Sequence, residues 1–139
     1  MTPAWRDALL AGDVRSLARQ LEAGMDIDAR DRYGQTGLMV AAMRGDSDTV
    51  RWLAAQGASL DHVAKFRLSA LMLAVINGHR EVARILVEAG CDVTLRASGA
   101  PGFAGKTALD LAKGRGDETM VVLLTSRLDE PHPRPRDAL

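Results

Sequence analysis

Cysteine is nearly missing from this chain of 139 residues: Cys91 stands alone, so neither an intramolecular disulfide nor a thiolate metal cage can form. A secreted disulfide scaffold and a zinc module are excluded, and a reducing compartment fits. Aromatic residues make up only 4% while hydrophobic residues reach 47%, so the apolar content is mainly Ala, Leu, Val and Met. That supply suits closely approaching helices rather than sandwiches or barrels. Neither sign of charge dominates. The 18 Lys+Arg cancel the 18 Asp+Glu, which removes the chain-wide cationic field on which non-specific nucleic-acid or anionic-membrane binding relies. Long hydrophobic runs are lacking too: no stretch approaches the roughly 18 apolar residues that span a bilayer, and no basic segment leads into an apolar one at the start. These absences predict one soluble, cytoplasmic domain with no membrane and no nucleic acid among its partners.

What the sequence does contain is a repeat. Gly12, Gly45 and Gly78 recur with a period of 33 residues, and Gly24, Gly57 and Gly90 follow them in register. A fourth copy carries an insertion: Gly116 lies 38 residues after Gly78, and the five extra residues fall in the loop 97–104. Four residues before the first glycine of each copy stand Ala8, Ala41, Ala74 and Ala112. Thr36, Ser69 and Thr107 precede Leu38, Leu71 and Leu109 by two residues, the pattern of a hydroxyl N-cap before the apolar stripe of a short first helix. After the glycine, Leu17, Val50, Ala83 and Val121 share a register, as do Leu53, Leu86 and Leu124, which predicts a second amphipathic helix of about nine residues. Gly24, Gly57 and Gly90 then end it.

Residues 78–94, GHREVARILVEAGCDVT, resemble the G-H-x-E-V-V-x-L-L-L-x-x-G-A-x-V-N of the ankyrin repeat, and Gly34-Gln35-Thr36-Gly37-Leu38 and Gly105-Lys106-Thr107-Ala108-Leu109 are similar to its G-x-T-P-L. The resemblance covers roughly residues 3–127. Gly37, Ala70 and Ala108 stand in place of the family's proline, a loss of preset φ expected to cost a fraction of a kcal/mol per helix. Met39, Met72 and Asp110 replace its histidine. The resemblance implies an all-α solenoid of four helix-turn-helix repeats, about 1–30, 31–63, 64–96 and 97–128, with β-hairpin-like fingers along one edge and capped ends. Arg15, Arg19 and Gln20 give the first copy a polar second helix suited to a cap. In the last copy the apolar run at 120–124 has no following repeat; a monomer is expected, with weak dimerisation through that end as the exception. The tail 129–139, with three prolines and no helical period, is expected to be disordered.

Chemistry is sparse. Residues 100–107, APGFAGKT, fit a relaxed phosphate loop with Ala100 where the strict pattern has glycine. The repeat already explains Gly105, Lys106 and Thr107, and no parallel sheet surrounds them, so nucleotide binding through this segment is the alternative reading rather than the favoured one. His62, His79 and His132 lie in a finger, at a helix start and in the tail, without a metal-ligand pair. His79 matches the family's structural histidine; Asp13, Asp46 and Asp117 hold its register, where a short acceptor caps the second helix. Cys91, beside the register of Ala58, reads as buried packing rather than a nucleophile. Glu22, Asp48, Glu81, Glu88 and Glu118 read as solvated faces. No enzyme, cofactor or metal is expected.

A recognition surface remains. The resemblance implies that finger tips and the C-terminal parts of first helices form a concave face. By register these are Arg32, Tyr33, Gln35, Met43 and Arg44 in copy 2, Lys65, Phe66, Leu68, Ile76 and Asn77 in copy 3, and Phe103, Lys106 and Arg115 in copy 4. Every charged member is basic, and three of the chain's five aromatics are included. Bracing and solubility would explain some of them. A basic row holding aromatic and arginine anchors on a neutral chain points instead to a non-enzymatic module that binds an acidic, partly apolar segment of another protein.

Overall fold

The computed structural model describes residues 1–99 and 102–129. Helices come in antiparallel pairs, one pair per copy: α1 (Pro3–Ala11) with α2 (Val14–Glu22), α3 (Gly37–Arg44) with α4 (Ser47–Ala55), α5 (Ala70–Ile76) with α6 (Arg80–Glu88), and α7 (Ala108–Arg115) with α8 (Glu118–Asp129). Asp129, assigned to the tail by composition, is the last residue of α8; the rest of that tail lies outside the described residues.

The pairs form with a side-chain cap at every helix start except that of α6. Thr36, Ser69 and Thr107 accept from the backbone N–H groups of Met39, Met72 and Asp110. Asp13, Asp46 and Asp117 do the same for Ser16, Thr49 and Met120 in the second helices. His79, in the same register, makes no cap, and its Nε2 instead meets the Met43 carbonyl of the preceding copy at 3.0 Å. A carbonyl accepts only, so Nε2 carries the proton there. Second helices end as the glycine register predicts, with Met25, Ala58 and Cys91 donating back to Gln20, Leu53 and Leu86.

First helices stack as a layer, α1 on α3 on α5 on α7, and the second helices α4, α6 and α8 form the layer behind. The alanine register explains the closeness: Ala41, Ala74 and Ala112 are wholly buried and Ala8 nearly so. Leu17, Val50, Leu53, Ala83, Leu86 and Leu124 fill the interior between layers. Gly37 shows why one copy does without the family's proline. A Cβ there would lie 3.1 Å from Trp5 Nε1 and 3.2 Å from Leu9 Cδ2, so the bare backbone is what admits the buried indole of copy 1. The Trp5 N–H has no hydrogen-bond partner among the described residues.

Both helices of the outer copies carry polar residues where inner copies bury apolar ones: in α2, Arg19 takes the register of buried Ile85 and Gln20 that of buried Leu53 and Leu86. The register of buried Met39 and Met72 is taken by Arg6 in copy 1 and Asp110 in copy 4, and that of buried Ala42 and Val75 by Lys113 in copy 4. The run at 120–124 is likewise less open than its composition suggests, since Met120 and Leu124 are fully buried and only Val122, 65% exposed, faces solvent outright.

Candidate partner-binding surface

Three fingers project from the first-helix edge. The finger of copy 2 is organised by Asp31, whose Oδ1 accepts from the N–H groups of Tyr33 and Gln35 at 2.9 Å and whose Oδ2 takes Arg6 at 3.2 Å. This carboxylate is consumed inside the fold, and Tyr33 is left 55% exposed. In copy 3, Ala64 donates to Leu68 and Arg67 to Ala64, both at 2.9 Å, and Val63 bridges Ser69, the one β-bridge among the described residues. The fingers are therefore hairpin-like turns without a sheet. Phe66 projects 40% exposed from this turn. In copy 4, Ala97 and Lys106 close the finger: Ala97 donates to Lys106 at 2.9 Å, and Gly105 to Ala97 at 2.8 Å.

The tips are tied into a row. Lys65 donates its N–H to the Tyr33 carbonyl at 3.4 Å, and Ser98 donates to the Phe66 carbonyl at 2.7 Å. Below them, Asp28 accepts from Ser59 and Asp61 from Asp92, one register apart. The finger acids thus lace neighbouring copies together, whereas Arg32 and Lys65 lie over the rings of Tyr33 and Phe66, at 5.6 and 5.1 Å from their centroids. The same cation-on-ring pair recurs in consecutive fingers.

The first-helix ends are built differently. Arg44 donates to the Leu10 carbonyl at 3.2 Å and Arg115 to the Ile76 carbonyl at 2.7 Å, each reaching back one copy to a helix terminus. Asn77, in the same register but shorter, caps its own helix at Leu73, and His79 supplies the missing link to Met43. Leu10, Met43 and Ile76 are spaced by 33, so the last turns of α1, α3 and α5 are each held by a side chain of the next copy. Met43, Gln35, Leu68, Ile76 and Phe103 are half-buried, with all but Gln35 packed against the core. Of the residues placed on the face by register, Arg32, Tyr33, Lys65, Phe66 and Lys106 are those that stand exposed without serving a carbonyl. Sequence reasoning missed Arg67, exposed in the finger of copy 3; its signal was a charged residue in the register of Gly34 and Gly105.

The phosphate-loop segment is occupied by its own finger. Lys106 donates its N–H to Phe103, Gly105 to Ala97, and Thr107 to Asp110 Oδ2 at 3.0 Å, so the amides of 105–107 that a phosphate loop would use are spent. Asp110 also brings a carboxylate to the start of α7, held below the ordinary carboxylate range by the Thr107 N–H. Ala100 and Pro101 lie outside the described residues. Cys91 is buried, and burial pushes its thiol up to about 12, far from the thiolate a nucleophile requires. No helix among the described residues is long and apolar enough to cross a membrane.

Comparison with known proteins agrees with this architecture. A family model described as ankyrin repeats (3 copies) matches residues 7–97. An ankyrin repeat-containing protein of Treponema pallidum (strain Nichols) is 34% identical over 125 residues, 89% of this chain and 40% of that protein. The human ankyrin repeat domain-containing protein 63 is 36% identical over 118 residues, covering 85% of this chain and 30% of its own length. A mitochondrial disaggregase of Bos taurus matches at 34% over 116 residues, only 17% of its length. The chain spans less than half of each of these relatives. With eight paired helices among the described residues, laced fingers and these matches, the chain belongs to the ankyrin-repeat family, whose domains are generic and typically non-enzymatic protein–protein interaction modules.

Proposed function

We propose that this module binds an acidic, partly apolar segment of another protein across its finger tips, with the half-buried apolar residues of the concave face, Met43, Leu68 and Ile76, as flanking contacts. The observation that carries this reading is the recurring pair Arg32/Tyr33 and Lys65/Phe66, where exposed rings sit beneath cations while neighbouring finger carboxylates are committed to backbone N–H groups. Rings of that exposure supply contact area, and the unneutralised cations supply attraction and register. The finger backbone is already paired along the row, so recognition runs through side chains rather than through strand addition. Arg44 and Arg115 contribute field rather than direct contact, because each is engaged with a carbonyl.

The test begins with affinity capture on the intact protein and identification of the partner by mass spectrometry. Arg32→Glu with Lys65→Glu is then expected to slow association and flatten its salt dependence while melting stays within a degree or so of the parent. If those substitutions leave association unchanged and Arg15→Glu with Arg84→Glu on the second helices abolishes it, the binding face is the opposite one.

A further inference from the structure

The finger of copy 3 departs from its neighbours at two adjacent positions. Where copy 2 has Gly34 at φ 76 and copy 4 has Gly105 at φ 75, copy 3 carries Arg67 at φ 56, and Phe66 before it is also left-handed at φ 62. No other non-glycine residue among the described ones has a positive φ. Holding side chains in that region costs stability, and such outliers persist where the surroundings over-determine them, commonly at sites of use. Glycine would make this turn more cheaply, as it does on either side. Nor does the guanidinium repay the strain within the fold. Arg6, Arg30, Arg44, Arg96 and Arg115 each hold a carboxylate or carbonyl, whereas the Arg67 side chain has no hydrogen bond or ion pair among the described residues.

Resting on the reading that the finger row binds an acidic segment, we propose that Arg67 is a specificity-determining residue of that row. Its guanidinium takes a carboxylate of the bound segment in a two-bond contact, and the apolar side chain next to that carboxylate seats on Phe66. Arginine matches a carboxylate through paired N–H groups in a way neither glycine nor lysine reproduces. Stacked helices lie about 8–10 Å apart, and an extended chain advances about 3.3 Å per residue, so successive fingers meet every third residue of an extended partner.

The probe is a fluorescein-labelled peptide of four Glu-Leu-Ser repeats, with the Lys-Leu-Ser counterpart as control, followed by fluorescence polarisation on the full chain. Arg67→Gly is expected to weaken binding of the glutamate peptide about tenfold, and Arg67→Lys to fall between, while Arg67→Gly raises the melting temperature by about 3 °C through relief of strain. Higher melting with unchanged binding would overturn the inference, as would lower melting, which would make Arg67 a brace of the finger. If the intact protein does not prefer the glutamate peptide, or if Arg32→Glu with Lys65→Glu leaves that preference intact, the finger-row reading falls as well. Loss on charge reversal with no loss in Arg67→Gly removes only the role of Arg67.

Discussion

Cys91 shows how far burial sets the chemistry of a single residue. Its side chain is enclosed at the end of α6, and desolvation, aided by the nearby Asp61 charge, raises the thiol from 9.0 to about 12. A group whose folded pKa lies above its unfolded value contributes stability that is complete below the unfolded pKa and is lost as pH rises through the folded one. The window here runs from about pH 9 to about 12. Cys91→Ala is therefore expected to flatten the fall in melting temperature across the alkaline part of that range. A thiol-reactive dye at pH 8 is expected to label the parent only after denaturant is added. The residue scale is also where sequence reading worked best for the interior. Ala41, Ala74 and Cys91 were legible as buried because their registers demand small side chains, and burial depends on size and polarity, which sequence states directly. Arg44 and Arg115 were not legible as braces, because an arginine that serves a carbonyl and one that serves a partner look alike until the acceptor is in place.

At the scale of elements, the copies differ in how they hold the end of a first helix. The His79 ring occupies the space against Gly45, where an added Cβ would lie 2.6 Å from Nδ1, and the glycine is left-handed at φ 74. Gly45→Ala is expected to lower stability by about 2 kcal/mol or more, part from the backbone and part from the ring. In a double-mutant cycle by denaturant unfolding, adding His79→Ala should recover the steric part, so the two changes sum to less than their separate costs. The start of α7 offers a second case, since Thr107 and Asp110 cap each other reciprocally. Thr107→Ala should cost about 1 kcal/mol by the same measurement. The Asp110 contribution is present above its unfolded value of 3.8 and is lost as pH falls through its depressed folded value.

Four helix pairs stack among the described residues, and the outer two carry charge at registers that the inner two bury. Inner copies bury methionine at the register where the outer copies carry Arg6 and Asp110, so the charged pair marks where the core stops. Asp110→Met with Lys113→Val would give copy 4 the residues that copy 3 buries at Met72 and Val75, leaving an apolar end with nothing to cover it. That variant is expected to show a mass that rises with concentration by light scattering, while the parent shows a smaller rise or none. The period, the hydroxyl and aspartate caps and the interior registers are legible in the residues alone. These follow from short-range chemistry, in which a hydroxyl or aspartate meets an N–H three residues on and an apolar stripe repeats with the helix. The stacking of the copies settles which basic residues are spent on carbonyls a copy away, why His79 spans two copies instead of capping one, and that Arg67 turns left-handed where neighbouring fingers use glycine, with Phe66 left-handed beside it. Each of those outcomes depends on the distance between groups some 33 residues apart, a distance set by how the copies stack and not by any one copy's residues.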